Sequence, residues 1–198
     1  MIYAKYIDIP HWETLRDQLI EFKNNYTPAD ALWWCHFEDE VREQLPDLFA
    51  TFESMGLQLH QLIFFTNLKN DLNMTDHTDH TSMFIHTDRQ DDPDSKFDDV
   101  PVLTDFPPTN AINIPMEYCD GSLTLFYELV DKSAEDVYYP RYNCGGHEHS
   151  NVKEIFRFEL NSPAVLRINV PHAVHNPHNE PRVVATFRFY NDIEFLFN

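Results

Sequence analysis

The sequence predicts a mainly β chain with helices at its N-terminal end, built as a jelly roll. Three observations lead there. The hydrophobic period drops from near four to two at about residue 57, and seven short runs rich in aromatic and β-branched residues follow. No helical stretch separates those runs, so the crossovers of a parallel sheet are missing, and an antiparallel core with helices packed on one face fits better. The 198 residues suit one domain, with a helical part at about 10–56 and the core at about 57–190. A chain this long can form its core without a disulfide or metal staple.

Residues 2–7 (IYAKYI) alternate and predict an edge strand. Pro10 suits a first helical turn, and Trp12, Leu15, Leu19 and Phe22 recur at helical steps until Asn24 and Asn25 end the pattern. A second helical stretch runs from about Glu38 to Met55, with Val41, Leu45, Leu48, Phe49 and Phe52 on its apolar face. Pro46 divides it, and Gly56 caps it. The strands expected next are LQLHQLIFF, TSMFIHTD, AINIP, SLTLFYEL, EIFRFEL, AVLRINV and RVVATFRFY. Two long connections interrupt them: an Asp- and Pro-rich segment at 89–109, and residues 131–153, which contain NCGGHEHSN.

Composition excludes several classes of function. With 33 acidic against 14 basic side chains the formal charge is −19, which argues against a nucleic-acid ligand, because phosphate backbones need clustered Lys and Arg. A small anion held by one buried arginine stays compatible with that charge. Three cysteines at unpaired spacing suggest no disulfide framework, and no apolar run is long enough for a membrane span. The N-terminus lacks the features of a secretory signal. The expectation is a reduced, cytoplasmic protein that does not engage a membrane.

Eleven histidines are many, and their placement matters more than their number. In TSMFIHTD, alternation puts Ser82, Phe84, His86 and Asp88 on one face of a strand, so an imidazole and a carboxylate point the same way. Together they make two-thirds of a 2-His-1-carboxylate triad, a donor set that leaves three metal positions open. The same spacing occurs in His77-Thr78-Asp79, but within the polar stretch NMTDHTDHT, where His77 and His80 read as solvated residues. A third ligand has three candidates in AVLRINVPHAVHNPHNEPR, namely His172, His175 and His178. Ten residues beyond His172, Arg182 opens another alternating strand, with Val184 and Thr186 on its own face. A buried guanidinium there would suit a carboxylate through two parallel hydrogen bonds, although pairing with a surface acid is the commoner fate of an arginine.

The ordered set His86-x-Asp88, INIP, PHAVHN and Arg182 resembles the Fe(II)- and 2-oxoglutarate-dependent oxygenases of the prolyl- and aspartyl-hydroxylase kind, over roughly residues 57–190. The resemblance implies a double-stranded β-helix, a jelly roll of the cupin-like sort. It implies His86, Asp88 and His172 as iron ligands and Arg182 as the partner of the distal carboxylate of 2-oxoglutarate. Asn113, on the face shared with Ala111 and Pro115, matches a position that contacts the co-substrate. Many relatives carry Ser or Thr two residues after the arginine, where this chain has Val184. Thr186 and Tyr127 are therefore equal candidates for a further polar contact. The implied activity consumes 2-oxoglutarate and O2 and hydroxylates a protein side chain or a small molecule, releasing succinate and CO2. Segment 89–109 reads either as a lid over a neutral or basic target or as a solvated loop.

Two other readings compete. Cys144, His147 and His149 could supply three ligands to zinc, although the paired halves of zinc modules are absent. A cupin-like protein that binds a metal or small molecule without catalysis would keep the fold and leave Arg182 with no oxo acid to hold. His11, His36 and His60 read as surface or partly buried residues.

Overall fold

A computed structural model describes residues 1–70, 86–88, 109–133, 137–139 and 144–198, with the backbone alone for 86–88, 137–139, 144, 145 and 149. The N-terminal part contains β1 (Ala4–Tyr6), α1 (Trp12–Tyr26), β2 (Trp33–Phe37), α2 (Glu38–Gln44) and α3 (Pro46–Ser54). The strands that follow are β3 (Leu59–Asn67), β4 (His86–Asp88), β5 (Asn110–Glu117), β6 (Leu123–Leu129), β7 (Val137–Tyr139), β8 (Cys144–Gly146), β9 (Val152–Glu159), β10 (Ala164–Arg167), β11 (His172–His175) and β12 (Arg182–Phe189). The chain is mainly β, as expected, with three helices among the described residues.

The helices follow their apolar spacing. Leu15, Leu19 and Phe22 form the buried stripe of α1. Pro46 occupies the first turn of α3, and its ring drives Leu45 out of the helical region to φ −127°, ψ 58°, so the expected division falls there. At the end of α3, Gly56 takes φ 76°, where a Cβ would be strained, and the Leu57 N–H closes the helix on the Phe52 carbonyl at 2.9 Å.

The strands form two six-stranded sheets, in the orders β1-β10-β5-β12-β3-β2 and β7-β8-β4-β11-β6-β9. Every pairing in them is antiparallel. One face of the first sheet carries Leu62, Phe64, Ile112, Ile114, Val183, Ala185 and Phe187, which are buried with the apolar faces of α1, α2 and α3. The opposite face carries Ala4, Ala164, Leu166 and Val184, which share a cluster with Phe126 and Phe158 of the second sheet. The molecule is therefore layered as helices, first sheet, second sheet. Aromatic rings close one side of the space between the sheets: Tyr3 lies 5.7 Å from Phe126 and Tyr6 lies 4.7 Å from Phe158, centroid to centroid.

The structure corrects the predicted elements in three places. Strand β2, between α1 and α2, is not among the strands expected. Residues 131–153, expected as one long loop, contain β7, β8 and the start of β9. His36 and His60 are core residues, only 1% and 2% exposed. His77, His80 and most of segment 89–109 lie outside the described residues.

Candidate functional site

The inner faces of the two sheets can be read from register. On β12, Val184 faces the second sheet, so Arg182 and Thr186, two residues to either side, belong to that same face. On β5, Asn113 is the direct partner of Thr186, while Ile112 and Ile114 face the helices. On β6, Phe126 faces the first sheet, and its direct partner on β11 is His172. Arg182, Asn113, Thr186 and His172 thus converge on the space between the sheets, with Val184 and Phe126 as its dry floor.

Of the three candidate histidines, only His172 combines burial with this face. It is 8% exposed, and its ring lies 6.2 Å from that of Phe126. Its Nδ1 donates to the Val170 carbonyl at 2.8 Å, which in the neutral ring puts the lone pair on Nε2. His175 falls on the opposite face of β11, and its Nδ1 meets the Asn70 Oδ1 at 2.9 Å. His178 lies beyond the strand and contacts the Asp120 carbonyl.

Backbone register decides where positions 86 and 88 fall; their side chains lie outside the described residues. His86 and His172 are direct partners across β4 and β11. Directly opposed positions of an antiparallel ladder share a face, and position 88 returns to that face by alternation. On its other side β4 pairs with β8, where Asp88 is opposite Cys144. No cluster of three His, Cys, Asp or Glu side chains able to hold a metal occurs among the described residues. Two positions of the proposed triad, and Cys144 and His149 of the zinc alternative, fall outside that side-chain description.

Arg182 has unusual surroundings. It is 2% exposed, and its Nη1 donates to the Asn67 Oδ1 at 2.7 Å. Its Nε is buried with no hydrogen-bond partner among the described residues, and no described carboxylate forms an ion pair with it. Burial disfavours its charge. The neighbouring ionisable group is Cys119, whose thiol is pushed up by burial and donates to the Val183 carbonyl at 3.2 Å. That thiol is neutral at pH 7 and does not balance the guanidinium. On the same face, the Asn113 Oδ1 is also buried without a partner among the described residues. Among the described residues this buried cation has no counter-ion, and its guanidinium offers the chemistry that receives a small anion.

Tyr127 is not brought to this face. It alternates with Leu125 on the other side of β6 and packs with Leu125 and Ala173. Burial and the Glu154 carboxylate push its phenol up to about 12. Sequence reasoning also missed Asn67, Asn70 and Asn176, which surround Arg182 and β11. An asparagine in a connecting segment carries the signal of a turn, and only pairing across the fold shows its partners.

No protein-family model matches the chain, and no curated protein is significantly similar to it. Among the described residues, no helix is long and apolar enough to cross a membrane.

Proposed function

We propose that this protein is an Fe(II)- and 2-oxoglutarate-dependent oxygenase on a jelly-roll, double-stranded β-helix core. His86, Asp88 and His172 are its metal ligands, and Arg182 receives the distal carboxylate of the co-substrate. The observation that carries this reading is the register of β4 on β11, which makes His86 and His172 direct neighbours. The strand orders support the jelly roll, because neighbours such as β10-β5-β12-β3 come from distant parts of the chain.

The donor set fits the metal. Two imidazoles and a carboxylate suit Fe(II) and leave three positions for co-substrate and dioxygen. Bound there, Fe(II) supplies O2 activation coupled to decarboxylation of 2-oxoglutarate to succinate and CO2, with one oxygen atom going to the substrate. The protein contributes position and exclusion of water. Hydrogen bonding to Val170 fixes the His172 tautomer and aims its Nε2. Arg182 offers an unbalanced charge and an unused Nε to a carboxylate, and Thr186 and Asn113 offer a hydroxyl and an amide on the same face. Val184 and Phe126 keep that space apolar, which strengthens each of these contacts. The net charge of −19 argues for a protein side chain or a small molecule as substrate rather than a nucleic acid.

The test is anaerobic titration of the protein with Fe(II) and 2-oxoglutarate. A visible metal-to-ligand band should appear in the wild type and vanish in His86→Ala and His172→Ala. Arg182→Ala should weaken 2-oxoglutarate binding at least about 30-fold, the usual scale for removing a buried charge from an ionic contact. A wild type with neither the band nor succinate production would be a cupin-like metal- or small-molecule-binding protein instead.

A further inference from the structure

We infer that Asn67 is a positioning residue that holds Arg182 by a neutral acceptor and so keeps its charge available to an anion. The inference rests on the reading of Arg182 as the carboxylate receptor of an oxygenase. Asn67 and Arg182 are direct partners at the ends of β3 and β12. The 2.7 Å bond from Nη1 to the Asn67 Oδ1 fixes the plane of the guanidinium. An aspartate at that place would fix it equally well, but would cancel the charge and compete with any incoming carboxylate. An amide oxygen accepts the hydrogen bond and leaves the charge and the Nε unspent.

The Asn67 main chain is itself anchored towards the metal end of the site. Its carbonyl accepts from the Asn176 Nδ2 at 2.9 Å, and Asn176 is fully buried in the connection from β11 to β12. The Asn176 main chain exchanges two hydrogen bonds with Asn70: its N–H donates to the Asn70 Oδ1 at 3.1 Å, and its carbonyl accepts from the Asn70 N–H at 3.0 Å. The Asn70 Nδ2 then donates to the Val174 carbonyl at 3.0 Å, on the strand that begins with His172. A continuous polar chain therefore runs from the guanidinium on the first sheet to the histidine strand on the second. It fixes where Arg182 sits relative to His172.

The experiment combines calorimetric titration of 2-oxoglutarate into Mn(II)-loaded protein with thermal melting of the metal-free protein. Asn67→Asp should raise the melting temperature, because a buried cation gains its counter-ion, while weakening 2-oxoglutarate binding about 100-fold. Mn(II) affinity should stay within about threefold of wild type, since among the described side chains Asn67 makes its contact with Arg182 and not with His172. Asn67→Ala should weaken 2-oxoglutarate about tenfold, and should change it less than about twofold when Arg182 is already alanine. A merely structural residue would lower stability and both affinities together. The inference is overturned if Asn67→Asp binds 2-oxoglutarate like wild type, or if the losses from Asn67→Ala and Arg182→Ala multiply. Should Asn67→Asp not fold, the alanine cycle decides alone. A wild type that takes up Mn(II) but not 2-oxoglutarate would overturn the oxygenase reading and this inference with it. The melting shift of Asn67→Asp would then still report on the contact itself.

Discussion

His60 shows what burial does to one side chain. It packs 4.5 Å from the Tyr190 ring and 6.2 Å from that of Phe37, with its Nδ1 buried and without a hydrogen-bond partner among the described residues. Burial, aided by the Arg188 charge and opposed by Glu38, lowers its pKa to about 4. In the unfolded chain the ring protonates near pH 6.5, whereas in the fold it protonates only near 4. Between those values the unfolded state holds more protons, so stability falls as the pH drops through that window. Urea unfolding between pH 7 and 4 should show this as a slope of at most about 1.4 kcal/mol per pH unit. His60→Gln should flatten it, and an unchanged slope would assign the acid sensitivity to other groups. His36 is equally buried but satisfied, with Nδ1 on the Glu40 carboxylate at 2.8 Å and Nε2 on the Thr27 hydroxyl at 3.0 Å.

Among the elements, the connection from β11 to β12 concentrates the polar contacts. Asn176 donates through Nδ2 to the Asn67 and Glu180 carbonyls, and its Oδ1 accepts from the His178 N–H and the Ser122 hydroxyl. Asn176→Ala would remove four hydrogen bonds of a fully buried amide, so it should cost about 2–4 kcal/mol in a denaturant titration. A loss below about 1 kcal/mol would mean that water replaces the amide there. The strands with regular alternation, β3, β5, β6, β9 and β12, were legible in the sequence, as was the helix break at Pro46. Strand β2 was not, because WWCHF between two helical stretches alternates no polarity. Strand β11 is only four residues long after Pro171, too short to show a period. Tyr127 shares the face of Leu125 on β6, and only packing on the first sheet shows that Phe126 is the inner residue. Of the candidate site, Arg182, Thr186 and Asn113 could be placed on faces from alternation and His172 was named only through the resemblance, whereas the asparagine chain depends on contacts more than a hundred residues apart.

At the scale of the whole molecule, charge is the dominant feature. A net −19 on 198 residues repels itself in the compact state, while exposed pairs such as Arg42–Glu38 and Lys153–Glu128 return little. Raising the ionic strength from about 10 to about 150 mM shortens the screening length from roughly 30 to 8 Å and should raise the melting temperature by a few degrees. A melting temperature that falls over that range would mean that attractive pairs outweigh the repulsion. The layered packing bears on what this scaffold could become. The imidazole side belongs to one sheet and the guanidinium side to the other, joined through a handful of amides. Substitutions along β12 and β3 could therefore retune the length or charge of the acid proposed to bind there, while the proposed coordinating half, on separate strands, is inherited unaltered.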